Sequence, residues 1–331
     1  MNRGDRVKAY DLHDIIFSQY SDFQTRSDVF ETCRKMEMHF RDHERILISV
    51  SGGSDSDCIV HLVCKYFPEY VEKCHFVFVD TGLEYEATRR HIDDLKERYG
   101  IEIQKIRGMS VVTAVRRYGV PILSKMKSHF IAIYQRGGKS GIKYIFGDGF
   151  KSDRLKFTEG QKQLAAYVKN SGIPISAKCC DYSKKTPLMK FLEDHDIDLD
   201  VTGERKAEGG QRSNAHKSCF ECHSDGLHKF MPLFWWSNAT KADFKEFERI
   251  RYSDCYEVYG MKRTGCCGCP FNLDIARDLQ AMYEYEPNLY KACMNVFGLA
   301  YELTDQFNCR RKKCLPDSIQ LTLEGEVRKN G

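Results

Sequence analysis

The apolar run Ile46-Leu47-Ile48-Ser49-Val50 feeds directly into Ser51-Gly52-Gly53-Ser54-Asp55-Ser56, and this junction constrains the fold more than any other stretch. A short β-rich run stops at two glycines, and the pattern then changes period. Ile59, Val60, Leu62, Val63 and Tyr66 fall on helical spacing. Glycine lets the backbone turn its N–H groups inward, and the start of a helix adds partial positive charge. The result is an anion cradle of phosphate size, with Ser51, Ser54 and Ser56 as additional donors. Asp55 is out of place in a purely anionic site, unless it orients the loop or holds Mg²⁺ beside the phosphates. The rival reading is an ordinary strand-to-helix turn that contains two glycines.

Strand and helix patterns alternate along the chain around this loop. Strands are predicted at Ile46–Val50, His75–Asp80, Ile101–Ile106, Lys143–Phe146 and Leu199–Thr202, and helices at 57–67, 85–99, 110–118 and 156–169. Alternation of this kind predicts an α/β fold with a doubly wound, mostly parallel sheet and helices on both faces. Ligands of such sheets bind at the carboxyl ends of the strands. The loop 51–56 lies at such an end, as do Asp80-Thr81-Gly82 and Gly203-Glu204-Arg205. Residues 1–45 read as a polar helical segment with Phe30, Met36 and Phe40 as packing positions. Residues 46–205 form the nucleotide-binding α/β domain. Residues 206–331 form a Cys-rich, α-helical or irregular C-terminal appendage that completes the metal and substrate site.

Charge excludes little: the net formal charge of the 331 residues is +4, too small by itself to demand nucleic acid. No stretch of 18 or more apolar residues suggests a membrane span, and the N-terminus lacks a signal peptide's apolar region, so the expected location is cytoplasmic. Fifteen cysteines are many for a reducing compartment, where disulfides are rare. Cys58, Cys64 and Cys74 fit apolar patterns and read as core.

The clustered cysteines point to metal chemistry. Cys179-Cys180 form an adjacent pair, and Gly265-Cys266-Cys267-Gly268-Cys269-Pro270 carries a Cys-x-x-Cys pair. Four thiolates from Cys179, Cys180, Cys266 and Cys269 suit a [4Fe–4S] cluster or, alternatively, Zn²⁺. Zinc usually takes two Cys-x-x-Cys knuckles, so the adjacent pair favours iron–sulfur. Cys267, Cys255, Cys219 and Cys222 compete as ligands. The segment Cys219-Phe220-Glu221-Cys222-His223, flanked by His216 and His228, could bind zinc by itself or be a loop with exposed thiols.

With these pieces assembled, the chain resembles the phosphoadenosine phosphosulfate reductase-like branch of the PP-loop ATP pyrophosphatases over roughly residues 45–275. Ser51–Ser56 has the intact Ser-Gly-Gly-x-Asp-Ser form. Phe78-Val79-Asp80-Thr81-Gly82-Leu83-Glu84 is similar to the family's second-strand motif. Val201-Thr202-Gly203-Glu204-Arg205, with Arg212 following, looks like its Gly-x-Arg…Arg element. Met231-Pro232-Leu233-Phe234-Trp235-Trp236 looks like its Pro-Leu-x-x-Trp stretch. Tyr256-Glu257-Val258-Tyr259-Gly260 through Cys269 resembles the segment bearing the second half of the cluster in iron–sulfur sulfonucleotide reductases. Two departures matter. Those reductases have a degenerate loop, and they carry their nucleophile in a C-terminal Glu-Cys-Gly-Leu/Ile-His motif; here Cys309 and Cys314 stand in a different context.

The resemblance therefore implies an iron–sulfur ATP pyrophosphatase that converts ATP to AMP and pyrophosphate and activates a substrate by adenylylation for sulfur transfer, with DNA phosphorothioation ahead of tRNA thiolation. A sulfonucleotide reductase and a non-catalytic nucleotide-binding subunit are the alternatives. Ser51 to Ser56 would hold the β and γ phosphates of ATP with Mg²⁺. Asp80, Thr81, Gly82 and Gly203 would line the nucleotide, and Asp55, Ser56, Arg205 and Arg212 would act in catalysis. Each arginine could instead form a surface ion pair with Glu204 or Glu208. A sulfur donor such as a cysteine desulfurase is the implied partner. Nucleic acid, DNA before tRNA, is suggested by residues 124–156, where Lys125, Lys127, Arg136, Lys139, Lys143, Lys151, Arg154 and Lys156 interleave with Phe130, Tyr134, Tyr144, Phe146 and Phe150. Gly137 to Gly141 read as a mobile loop within it, and Arg310 to Lys313 as a second contact. The rival reading is a solvated helix face beside core aromatics.

Overall fold

The computed structural model describes residues 22–209, 216–224 and 226–315. The chain divides into two compact units, each assembled from separated segments. Of the described residues, the first gathers those up to Phe78, Ala87–Ile106 and Met189–Glu257; the second gathers Val79–Glu86, Arg107–Leu188 and those from Val258 onward.

The first unit is built on a six-stranded sheet: β1 (Ile46–Ser49), β2 (Cys74–Val79), β3 (Ile103–Ile106), β4 (Leu199–Val201), β5 (Phe220–Cys222) and β6 (His228–Phe230). The order is β3-β2-β1-β4-β6-β5. β1 pairs in parallel with both β2 and β4, placing Ile48 beside Phe76 and Val201, and β6 continues the parallel pairing beside β4. Only the short β5–β6 pairing is antiparallel among the pairings that carry a register. The chain winds from β1 to β2 and β3, then crosses to the other side of β1 to lay down β4. The gap between β1 and β4 is thus the topological switch point, where the carboxyl ends of neighbouring strands open a crevice.

One face of the sheet is a continuous apolar layer, set by the parallel register. Ile46, Ile48, Phe76, Phe78, Leu199, Val201 and Phe230 pack with Ile59, Leu62 and Val63 of the helix Ser54–Tyr66, Ile92 and Leu95 of the helix Glu86–Tyr99, and Trp236 and Phe244. The N-terminal helix Phe23–Asp42 starts at Asp22, whose carboxylate accepts from Thr25 N at 2.7 Å. It buries Val29, Met36 and Phe40 completely, while Phe30 is partly buried. The sheet also extends past residue 206, through β5 and β6. Those strands are three residues each, too short for an alternating pattern to register.

The second unit is helical. The run Lys143–Phe146, read from its aromatic and β-branched residues as a strand, is instead the end of the helix Lys139–Phe146. Packing explains the difference. A Cβ on Gly141 would stand 2.4 Å from Tyr134 N, so this helix crosses the helix Lys125–Gln135 at backbone contact. The glycines between them form a tight turn rather than a mobile loop: Gly138 N donates to Ile133 O at 2.9 Å, and Gly137 adopts φ of +80°. The helices Glu159–Asn170 and Pro287–Gln306 complete this core through Leu164, Val168, Ala300 and Leu303. Among the described residues, no helix is long and apolar enough to cross a membrane.

Candidate functional site

The carboxyl end of β1 opens into the glycine loop as the sequence requires. Gly52 adopts φ of +65°, and a Cβ there would meet Thr88 Cγ2 at 2.7 Å, so both conformation and space demand glycine. The helix then starts at Ser54, with Gly53 at its N-cap. The Ser56 hydroxyl knots the loop: it donates to Gly53 O at 2.7 Å and accepts from Ser51 N at 3.2 Å. Ser51 Oγ lies 3.1 Å from the Ser56 hydroxyl and accepts from Gly53 N at 3.3 Å. Ser51 and Ser56 therefore shape the turn as well as offering donors.

Asp55 is the electrostatic centre of the loop. Its Oδ1 accepts from Arg205 Nε at 2.6 Å and from Lys241 Nζ at 2.9 Å. Burial would raise its pKa, but Lys241, a hydrogen bond with Glu208 and Arg205 reverse that and hold the carboxyl below its ordinary range. Arg205 is 5% exposed, and its Nη1 donates to Trp236 O, Ser237 O and Asn238 Oδ1 at 3.2–3.4 Å. It is thus no surface ion pair with Glu204 or Glu208; it ties the loop to the end of β4 and to the start of the helix Asn238–Glu248. Gly203 lets this approach happen, since a Cβ there would lie 3.0 Å from Ser56 N. Of the two roles the sequence left to Asp55, this geometry serves loop orientation. One residue along, Asp57 is buried against His91 Nε2 at 2.7 Å, and burial raises its pKa.

Lys241 was not singled out from the sequence. It stands in the first turn of its helix, where Ser237 is the N-cap. A cation there opposes the helix dipole, and that mismatch was the available signal. Its ammonium also donates to Ser54 Oγ at 2.8 Å. Arg212 lies outside the described residues.

Asp80, Thr81 and Gly82 follow β2 and belong to the second unit. Asp80 accepts from Gly82 N at 2.8 Å and pairs with Arg107, while Thr81 Oγ1 donates to Glu84 Oε1 at 2.6 Å. Burial raises the pKa of Glu84, and Lys184 opposes the rise.

The same unit brings the four expected thiols together. Cys179 and Cys180 occupy a helical turn, Lys178–Cys180, that runs into a π-helical turn at Asp181–Lys185. Cys180 is pulled down to about 6, first by its hydrogen bond with Cys179 and then, against burial, by Lys125 and Lys184. Cys179 is correspondingly pushed up, with Cys269 and Cys266 contributing repulsion. Burial raises Cys266, and burial together with Cys266 raises Cys269 to about 12. Cys267, the competitor between them, is 1% exposed, and its N–H donates to Leu83 O at 3.1 Å. Arg310 closes the loop from outside: Nη1 donates to Asn272 O at 2.6 Å, and Nη2 to Leu123 O and Pro270 O. That use of Arg310 differs from the nucleic-acid contact expected of it.

Among the described residues, no three His, Cys, Asp or Glu side chains are gathered tightly enough to ligate one metal ion. The thiols instead perturb one another in a looser set beside two lysines. A cuboidal cluster takes its thiolates at separate corners, so this donor set fits it in chemistry better than a mononuclear zinc site. The other candidate group is dispersed in its bonding. His216 engages Glu204 and Glu221 at 3.2 and 2.8 Å, His228 engages His43 at 2.8 Å, and Cys219 is buried while Cys222 is exposed.

The basic segment splits by role. Phe130 stacks on Tyr144 with centroids 4.1 Å apart, and both meet Phe150, so these rings serve packing. Lys125 pairs with Asp181, Lys127 with Gln161, and Lys156 with Asp153. Arg136, Lys139, Lys143, Lys151 and Arg154 are exposed, and no ion-pair partner stands beside them among the described residues.

Residues 45–121 and 148–272 match the model of the phosphoadenosine phosphosulfate reductase domain family. An uncharacterised protein of Methanocaldococcus jannaschii is 25% identical over 227 residues, which is 68% of this chain and 36% of that protein. The chain therefore spans about a third of that relative's length. Among solved structures, the phosphoadenylyl-sulfate reductase of Candida auris, a phosphate complex, aligns over 71% of this chain and 88% of its own, at 13% identity and a TM-score of 0.44. The FMN adenylyltransferase of Candida glabrata in complex with ATP covers 81% and 72%, at 14% identity and 0.46. The U34-tRNA thiolase NcsA of Methanococcus maripaludis with its [4Fe–4S] cluster covers 85% and 79%, at 14% identity and 0.37. With TM-scores below 0.5, these structural likenesses are too loose to bear on chemistry.

Proposed function

Because the chain belongs to the phosphoadenosine phosphosulfate reductase domain family, we propose that it uses its intact loop to cleave ATP to AMP and pyrophosphate and thereby activates an acceptor for sulfur transfer. The observation that carries this reading is the loop itself: Ser51 to Ser56 opens a helix, and its one carboxylate is neutralised by Arg205 and Lys241. A triphosphate can approach such a loop without meeting uncompensated negative charge. An acceptor oxygen attacks the α-phosphorus, the bond to the bridging oxygen breaks, and pyrophosphate leaves with both electrons of that bond. A sulfur nucleophile then displaces AMP. Ser54, the helix N–H groups and Mg²⁺ carried with ATP would stabilise charge gathering on the leaving group. A [4Fe–4S] cluster held by Cys179, Cys180, Cys266 and Cys269 would have every iron capped by a thiolate, and would brace the site and shape its electrostatics.

A sulfonucleotide reductase needs an accessible, readily ionised cysteine outside the cluster. Cys309 and Cys314 are buried, and burial pushes both up to about 12, which disfavours them in that role. For the acceptor, nucleic acid is supported by the exposed cations Lys139, Lys143 and Lys151, DNA being placed ahead of tRNA. The aromatic rings give little further support, since packing consumes most of them.

Incubation with ATP and Mg²⁺, with and without DNA or RNA, tests the reading by its products. AMP and pyrophosphate are expected. Sulfite from a sulfonucleotide and a thiol donor, with ATP untouched, would replace the proposal with the reductase. Changing Lys139, Lys143 and Lys151 to Ala should flatten the salt dependence of DNA binding by about one unit per lost phosphate contact. An unchanged slope moves the binding face elsewhere.

A further inference from the structure

A Gly-Lys-Ser/Thr phosphate loop carries its own lysine, whereas Ser51 to Ser56 has none. We infer that Lys241 is the phosphate-binding lysine of this loop, supplied from a helix far along the chain; the inference rests on the proposed ATP cleavage. Asp55 stands at the start of the helix Ser54–Tyr66, held by Arg205 Nε at 2.6 Å, with the Glu208 side chain as a further hydrogen-bond partner. Arg205 is buried, and its Nε and Nη1 are committed to Asp55, Trp236, Ser237 and Asn238. Lys241 is therefore the cation of the two that is free to leave Asp55. Its ammonium sits 2.9 Å from Asp55 Oδ1 and 2.8 Å from the hydroxyl of Ser54, the first residue of the helix.

Position and chemistry agree. An ammonium has three protons. Two are directed at Ser54 and Asp55, and beyond these the ammonium faces only the Tyr252 ring, 6.0 Å away, among the described residues. Lysine is a compact charge on a flexible stem, suited to moving between acceptors, whereas the arginine fork is fixed by its bonds. Its place in the first turn of Asn238–Glu248 costs stability against the helix dipole. On nucleotide binding, the Lys241 ammonium turns from Asp55 to the β and γ phosphates, leaving Asp55 to Arg205.

The test compares ligands that share the loop but differ in phosphates. Calorimetry with ATP, inorganic pyrophosphate and AMP, each with Mg²⁺, is run on the full chain and on Lys241→Gln and Lys241→Arg. Loss of one charge-assisted hydrogen bond to phosphate should weaken ATP and pyrophosphate about tenfold or more in Lys241→Gln. AMP affinity should stay within about twofold, and Lys241→Arg should recover part of the loss. Equal weakening of all three ligands would show that Lys241 only props the loop, overturning the inference while the ATP reading stands. Wild-type protein that binds neither ATP nor pyrophosphate would overturn the ATP reading and this inference with it.

Discussion

Replacing Asp55 with Ala strands two cations, and the structure fixes the size of the effect. Removing one partner of a buried ion pair costs about 3–5 kcal/mol, because the survivor keeps a desolvated charge. Arg205 still has the carbonyls of Trp236 and Ser237 and the Asn238 side chain, and Lys241 is only half-buried, so the low end applies. Loss of a carboxylate from the first turn of the helix adds about 0.5 kcal/mol. The total, about 3.5 kcal/mol, should lower the urea midpoint by about 1.2 M if the slope is about 3 kcal/mol per M. ATP turnover should fall roughly a hundredfold, as when a preorganised site loses its organising charge. Arg205→Met alone should also destabilise, while the double variant should recover at least about 1 kcal/mol relative to the sum. The sign with pH is set by the depressed pKa of Asp55. Its contribution is complete above the unfolded carboxylate value of about 4 and disappears as pH falls through the lower folded value. The gap between wild type and Asp55→Ala should be flat from about pH 5 to 8 and close in acid. A change under about 1 kcal/mol with no coupling to Arg205, or normal pyrophosphate release, would refute this account of the loop.

Gly203→Ala places a Cβ 3.0 Å from Ser56 N and 3.1 Å from the Asp55 carbonyl carbon, so the helix start must shift. A loss of about 1–3 kcal/mol with weakened ATP binding is expected by urea titration and calorimetry, and wild-type values for both would contradict it. Protein purified anaerobically should be brown with about four irons per chain. Cys266→Ser should abolish the colour and the buried Cys267→Ser should retain it; stoichiometric zinc without iron would end the cluster assignment. Burial raises Asp200 to about 6, and its Oδ1 has no hydrogen-bond partner. A raised folded value means that this group favours the fold below about pH 4 and loses that advantage as pH climbs to about 6. Asp200→Asn should therefore stabilise at pH 7.5 by about 2 kcal/mol and gain nothing at pH 4; an unchanged pH profile would exclude this role.

The strand, the loop and the helix after it were legible because period and glycine placement agree along one continuous stretch. The features that stayed hidden depend on distant partners. Asp55 is bound by residues 150 and 186 positions away, while the sequence offered Arg205 only its neighbours Glu204 and Glu208. Lys143–Phe146 has strand composition, but a backbone-to-backbone crossing at Gly141 decides in favour of a helix, and no propensity records that contact. Arg310 looked like one member of a cationic run because composition does not distinguish a guanidinium in water from one bonded to three carbonyls. The cysteine set was easier to read, since adjacent and Cys-x-x-Cys spacings are local patterns.

The strand order has a consequence during synthesis. β1 needs β2 on one side and β4 on the other, and β4 is made about 150 residues after β1. At about 5–20 residues per second, Ile46, Leu47 and Ile48 wait roughly 8 to 30 seconds with one edge unpaired. An apolar edge of this kind is a template for pairing with other chains. A ribosome stalled before Leu199 therefore holds the central strand of the sheet at its most adhesive, and codon pace between Ile106 and Leu199 should govern how much chain reaches the soluble pool.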